Sequence, residues 1–170
     1  MKTKQKESDY LKSENKQIKS ASKMLREQQG NCAQAIFATF GPLFGKGSVD
    51  YDSCMKITAA FGGGINLTGN VCGAITGAVM ALGLKYGGNV QEVTKITKQL
   101  LDDFTKINGS IICRDLVGHD LFDDEDLREA NKKDIFKKCI KYVDDAAKLL
   151  EKELDEEKNK EGNKLWKQQY

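Results

Sequence analysis

Proline is almost absent from this chain of 170 residues, which contains only one. Because proline interrupts helices and the sequence is rich in helix-forming residues, the composition predicts an almost entirely α-helical fold. The chain also lacks a long apolar run: Val71–Leu84 is too short to span a bilayer, and the basic N-terminus has no apolar signal-peptide core. We therefore expect a soluble, cytoplasmic protein without membrane contact.

An excess of charge of either sign is missing as well. Lys and Arg number 27 against 25 Asp and Glu, a net charge of +2, and the charges alternate along the chain. No basic face with interleaved aromatics forms, so nucleic acid is not an expected partner. The length and 39% apolar content fit one domain. We predict a charged N-terminal helix or arm over residues 1–29, a helical core over 30–154, and a polar tail over 155–170.

Glycine, by contrast, is concentrated in one stretch, Phe61–Gly87, which holds eight of the sixteen glycines. Asn70 is a suitable N-cap for an apolar helix over Val71–Leu84. Small residues recur at every fourth position, at Gly69, Gly73 and Gly77, and allow another backbone to approach closely. A helix that is apolar on nearly all sides must be buried, so we expect it at the centre of a bundle of about six or seven helices.

The other predicted helices surround this one. The first precedes Gly30, and the second begins at the cap Asn31 and stops at Gly41-Pro42. Further helices start at Ser48, cover Val90–Ile107, start again at Ser110, and cover Leu127–Leu154.

Five cysteines occur, but none of them forms a CxxC pair, a zinc-ribbon spacing or a ferredoxin run. Cys32, Cys72 and Cys113 each fall in the first turn of a predicted helix, where free N–H groups are expected to lower a thiol's pKa. Cys54 and Cys139 fall on inward-facing stripes, and Cys54 is predicted to be a core residue. The only histidine, His119, follows the Cys113 helix in a loop and is expected to be solvated.

About forty residues separate Cys32 from Cys72, and Cys72 from Cys113, so only the fold can assemble a joint site. Helices that present thiols from their first turns can converge on one centre, where their N–H groups offset thiolate charge. This favours an iron–sulfur cluster or a reactive dithiol, in which Cys32, Cys72 and Cys113 are the redox-active thiols. The alternative is a helical domain whose cysteines only pack.

Several segments together resemble the C-GCAxxG-C-C family of redox-active proteins over about Gly30–Leu150: NCAQA at Asn31, FGGG at Phe61, VCGAITGAVMALGLKYG at Val71, GSIICRDLVGHD at Gly109, and Cys139–Val143. The resemblance implies that Cys32, Cys72, Cys113 and Cys139 are the functional residues and metal ligands. The family's Gly-Cys-Ala-x-x-Gly element corresponds either to Cys72–Gly77, with Cys and Gly exchanged, or to Gly64–Gly69, with Ile65 in place of a cysteine. The resemblance also implies that Gly64, Gly69 and Gly73 border the cofactor.

The sequence thus favours a redox protein that binds an iron–sulfur cluster for electron transfer or redox sensing. A metal-free thiol/disulfide oxidoreductase is the alternative, and a structural domain whose charged N-terminal helix binds another protein is the third. The sequence leaves open whether the protein is an enzyme. A redox partner protein of unknown identity is implied, a homodimer is compatible with the sequence, and no flavin, nucleotide or haem motif is present.

Overall fold

The computed structural model describes the backbone of residues 16–168 and the side chains of residues 16–154. Over this part the chain forms eight α-helices, one short 3-10 helix and no β-strand. The helices are α1 (residues 16–26), α2 (Cys32–Phe44), α3 (Tyr51–Ile57), α4 (Gly73–Tyr86), α5 (Val90–Asn108), α6 (Cys113–Val117), α7 (Asp124–Lys132), the 3-10 helix (Ile135–Lys138) and α8 (Cys139–Gln168). The all-α prediction is confirmed.

Helix α4 is the central element, as its apolar sequence predicts. Its buried residues face α2, α5 and α8, and it packs most extensively against α2. A Cβ atom at Gly77 would lie 2.7 Å from the carbonyl oxygen of Ala33, and one at Gly73 would lie 3.0 Å from the Ala33 nitrogen. The two glycines therefore allow the backbones of α2 and α4 to come into contact.

Between residues 16 and 168 there are eight α-helices where six or seven were predicted, because the helix predicted over Leu127–Leu154 is broken. Asp134 has a positive φ of 55°, which ends the α7 segment and starts the 3-10 turn that leads into α8. The prediction that α2 stops at Gly41-Pro42 was wrong as well. Pro42 lies inside the last turn of α2, where its missing N–H removes one hydrogen bond without ending the helix.

Two groups of buried apolar residues form the core. The larger joins α1, α2, α4, α5 and α8 and includes Cys54 and Cys72. The smaller lies around α6, α7 and the start of α8 and includes Cys113 and Cys139, while Cys32 packs against both groups. Four of the five cysteines therefore lie along the boundary between the two groups.

The N-terminal helix α1 is part of the folded body where it is described. Ala21 and Met24 are buried in the larger core group, and the Ser22 hydroxyl donates a hydrogen bond to Asp144 of α8. Residues 1–15 of the predicted N-terminal helix or arm lie outside the described residues. At the other end, the predicted polar tail continues α8 as backbone helix to Gln168, and its side chains lie outside the described residues.

No helix in the described part of the chain is both long enough and apolar enough to cross a bilayer.

Candidate functional site

Four cysteines line one small cavity at the boundary between the two core groups. Cys32, Cys72, Cys113 and Cys139 all border it, and its volume is about 30 Å³, room for one or two water molecules. The remaining wall is largely apolar and contains Leu116, Val117, Phe136 and the ring of Tyr142. The structure thus brings together all four cysteines that the family resemblance singles out.

Each of the four lies at the start of a helix. Cys32 and Cys113 are the first residues of α2 and α6, Cys72 is the N-cap of α4, and Cys139 is the first residue of α8. At the start of α4 the N–H groups of Ala74 and Ile75 act on the Cys72 sulfur and favour negative charge there. The first N–H groups of α2, α6 and α8 are already bonded, to the Asn31 side chain and to backbone carbonyls.

The sequence predicts Cys139 in the middle of a helix, and its position at a helix start was missed. The signal that could have revealed it is the polar run Asn131-Lys132-Lys133-Asp134, which interrupts the apolar stripe before Ile135. A second deviation concerns capping, because Asn70 and Ser110 are not the N-caps. Cys72 and Ile112 occupy those positions, and the Ser110 hydroxyl accepts a hydrogen bond from the Ile112 N–H instead.

A single antiparallel β-bridge between Val71 and Ile112 brings Cys72 and Cys113 together. The Cys72 N–H donates to the carbonyl of Ile111 at 2.8 Å, and the Cys113 N–H donates to the carbonyl of Asn70 at 2.6 Å. Because α4 and α6 begin directly after this bridge, its register fixes the relative position of the two helix starts.

Cys32 reaches the same place through the close packing of α2 on α4. The capping box at Asn31, whose side chain accepts from Ala33 and Gln34, fixes the start of α2. A Cβ atom at Gly73 would lie 3.3 Å from the Cβ of Cys32, so any side chain there would crowd the thiol. Gly73, predicted to border a cofactor, lines the cavity beside Cys72.

Gly64 and Gly69, also predicted to border a cofactor, do not line the cavity, although Gly63 does. A Cβ at Gly64 would meet the backbone of Asn70, and one at Gly69 would meet the Arg114 side chain, so both positions shape the loop. Ile65 is 46% exposed. Cys72 lines the cavity and Ile65 does not. This favours aligning the family's Gly-Cys-Ala-x-x-Gly element with Cys72–Gly77 instead of Gly64–Gly69.

Burial determines the direction in which the pKa values of Cys72 and Cys113 shift. It raises the pKa of Cys72 to about 11, although the N–H groups of Ala74 and Ile75 at the start of α4 act in the opposite direction. Burial, reinforced by the neighbouring Cys72 and Cys139 sulfurs, raises the pKa of Cys113 to about 12. The expectation of a lowered pKa at these helix starts was therefore wrong, because the loss of water outweighs the helix dipole.

The other two thiols behave as a pair. Cys32 and Cys139 share a side-chain hydrogen bond, which lowers the pKa of the Cys139 thiol below its usual value. The same hydrogen bond, together with burial, raises the pKa of Cys32 well above the usual value. One proton is thus retained on Cys32, and Cys139 is the first of the pair to become a thiolate.

Cys54 lies apart from the four, fully buried in the larger core group as predicted for a packing residue. Its sulfur lies 2.8 Å from where a Cβ at Gly41 would stand. His119 does not line the cavity either: its Nδ1 lies 2.5 Å from a carboxylate oxygen of Asp126. With 15% of its side chain exposed, it is less solvated than predicted.

Four thiol donors in an apolar setting are the ligand type that iron–sulfur clusters and other thiophilic metals prefer. In the present geometry, however, no three Cys, His, Asp or Glu side chains among the described residues are arranged as ready ligands of one metal ion. The small cavity agrees with this, since a cluster would require the sulfurs to move apart. The donor set fits a metal group, and the spacing requires a local adjustment.

Comparison with protein families gives one match. The family model described as "Putative redox-active protein (C_GCAxxG_C_C)" matches residues 30–153, which include all five cysteines and the whole cavity. No curated protein and no solved structure matches the chain significantly.

Proposed function

Because the chain belongs to the C-GCAxxG-C-C family, described as redox-active, we propose that its four clustered cysteines form a redox centre that holds an iron–sulfur cluster. The observation that carries this proposal is the convergence of four thiols, from four helix N-termini, on one apolar cavity. Unrelated packing cysteines have no physical reason to converge in this way.

The pKa values favour a site that uses all four sulfurs. With pKa values raised to about 11 and about 12, Cys72 and Cys113 remain protonated at neutral pH and are poor nucleophiles without a metal. A bound metal centre reverses this situation, since coordination deprotonates a thiol. A ligand role would therefore explain the presence of Cys72 and Cys113, which a metal-free exchange reaction would not use.

The surrounding residues fit this role. Leu116, Val117 and Phe136 surround the sulfurs with apolar surface, and the N–H groups of Ala74 and Ile75 at the start of α4 would offset part of the thiolate charge. The Tyr142 hydroxyl donates a hydrogen bond of 2.7 Å to the carbonyl of Leu116, which fixes the ring against the cavity. When bound, an iron–sulfur cluster would supply one-electron transfer to a redox partner protein.

Metal-free thiol/disulfide exchange is the second candidate function, and the hydrogen-bonded pair Cys32 and Cys139 favours it. In this reaction the Cys139 thiolate attacks a partner disulfide, and one partner sulfur leaves as a thiolate. The Cys32 sulfur, after loss of its proton, then attacks Cys139 and releases the second partner thiol. The protein is oxidised to a disulfide, and the partner is reduced to two thiols.

Anaerobic reconstitution with iron and sulfide, followed by visible and EPR spectroscopy, separates the two. The proposal predicts a coloured cluster that is lost in Cys72→Ser and in Cys113→Ser. It predicts that the cluster is retained in the matched control Cys54→Ser, whose thiol lies in the core away from the cavity.

Two outcomes would contradict the cluster. One is a protein that takes up Zn²⁺ at its thiols but never assembles a coloured centre. The other is a protein that forms a stoichiometric Cys32–Cys139 disulfide on mild oxidation and whose Cys72→Ser variant still reduces a partner disulfide at the full rate. The second outcome would establish thiol exchange instead.

A further inference from the structure

A second, larger cavity adjoins the four-cysteine site. It is an open pocket of about 380 Å³, within the size range of small-molecule sites. Cys32, Cys139, Gly63 and Phe136 line both cavities, so these four residues form the wall between them. Cys32 is also the one cysteine of the five that is not buried. The pocket therefore gives an approach to the thiol site from outside.

The pocket wall is mostly apolar, with the amides of Asn31 and Asn66 and two thiols as its polar side chains. No Asp, Glu, Lys, Arg or His lines it, and Leu25, Leu67 and Phe136 give it an apolar surface. The Asn31 side chain is already engaged: its oxygen accepts from two N–H groups of α2, and its nitrogen donates to the carbonyls of Thr58 and Ala59. A charged ligand would find no side chain of opposite charge here, and its desolvation would be costly.

One side of the pocket is built from an unusual loop. Residues 63–67 all have positive φ values, between 47° and 71°, and three of them are Ile65, Asn66 and Leu67. Such a left-handed turn is unfavourable for residues other than glycine, and backbone strain of this kind is concentrated at functional sites. Gly63, Asn66 and Leu67 from this turn line the pocket.

The rest of the chain holds the strained loop in place. The Arg114 guanidinium donates a hydrogen bond of 2.7 Å to the carbonyl of Thr68, and the N–H groups of Gly69 and Asn70 donate to the carbonyls of Gly63 and Gly64. The same Arg114 directly follows Cys113, so the pocket wall and the thiol site share one support.

We propose that this pocket binds a small, uncharged molecule with an apolar surface, which lies there in contact with the Cys32 and Cys139 side chains. The inference rests on the proposed redox function of the four cysteines. It adds a binding site and the class of ligand, and it assigns the left-handed loop the role of shaping that site.

Labelling of the reduced, metal-free protein tests the proposal with three methanethiosulfonates of similar size: neutral, anionic and cationic. Peptide mapping by mass spectrometry gives the rate at Cys32. The ratio of the neutral labelling rate to each charged labelling rate is measured for Cys32 and for free cysteine. The ratio for Cys32 should be larger by about tenfold or more, since the pocket offers no counter-charge. Equal ratios for Cys32 and free cysteine would overturn the proposal.

Blocking the pocket provides a second measurement. Ala60 is an exposed residue of the pocket wall, and Ala60→Trp should slow neutral labelling of Cys32 by about tenfold because the indole occupies the opening. The matched control is Thr94→Trp on the exposed face of α5, which should label like the unmodified protein. Should Ala60→Trp lose its helical circular dichroism, Ala59→Trp tests the same wall. Unchanged labelling in a folded blocked variant would refute access through this pocket.

Reversible binding is tested with an unreactive probe. N-ethylsuccinimide, neutral and compact, should slow the neutral labelling of Cys32 in a saturable way, whereas succinate, which is charged, should not. Protection by both or by neither would contradict a site for uncharged ligands. Because all three measurements use metal-free protein, they stand or fall independently of whether an iron–sulfur cluster assembles.

Discussion

Two glycines of the same helix should respond in opposite directions to the same substitution. A Cβ at Gly77 would lie 2.7 Å from the Ala33 carbonyl oxygen and 3.2 Å from the Cβ of Ile36, both on α2. A Cβ at Gly83, six residues further along α4, would meet nothing within 4 Å. Gly77→Ala therefore forces α2 and α4 apart, whereas Gly83→Ala places a methyl group in solvent.

The magnitude follows from two opposing effects. Alanine stabilises a helix by up to about 1 kcal/mol relative to glycine, and this gain is available at both positions. Overpacking against a backbone atom costs about 1–3 kcal/mol, and this cost arises only at Gly77. We expect Gly83→Ala to stabilise the protein by about 0.5–1 kcal/mol and Gly77→Ala to destabilise it by about 1 kcal/mol.

Urea unfolding of the reduced, metal-free protein, followed by far-UV circular dichroism, measures the free energy of unfolding of both variants. The difference between the variants should be about 2 kcal/mol, which is large enough to resolve. Equal stabilities would refute the conclusion that α2 and α4 touch through Gly77. They would also remove the explanation of how α2 carries Cys32 to the cavity.

Three further predictions follow from the same structure. Cys54→Ser should lower the free energy of unfolding by about 1–3 kcal/mol in urea, because its hydroxyl would be fully buried, whereas Cys54→Ala at the same site should lower it less. The metal-free protein should lose stability as the pH rises from the usual thiol pKa of 9.0 towards 11–12, since folding raises the pKa values of Cys72 and Cys113. The urea midpoint should therefore fall across this pH range. In Cys113→Ala it should fall less steeply. Arg114→Gln should speed proteolysis of the 62–70 loop, because the guanidinium bonds to Thr68 and Gly69 are lost, while Arg128→Gln on α7 should not.

Local sequence determined the helices and most of the positions of the thiols within them. A capping residue acts within about three residues of itself, so Asn31 and the residues after it suffice to place Cys32 at the start of α2. The apolar run after Cys72 likewise predicts a buried central helix, because such a run has no polar face to turn towards water. These features depend on interactions within one turn or on simple periodicity, and both can be read without the fold.

The break before Cys139 was harder to predict. Asp134 adopts a positive φ and separates α7 from the 3-10 turn, but its neighbours Lys132 and Lys133 are also good helix formers. Helix propensity alone therefore favoured one continuous helix. Tertiary packing of Ile135 and Cys139 into the smaller core group decided in favour of the break.

Only the tertiary structure decided what the thiols do together. The register of the bridge between Val71 and Ile112, and the close packing at Gly73, bring side chains from distant parts of the chain to one cavity. The sign of the pKa shifts at Cys72 and Cys113 was decided in the same way. A helix start favours the thiolate wherever it occurs, but desolvation depends on which neighbours the fold places around the sulfur, and here those neighbours exclude the water that a thiolate needs.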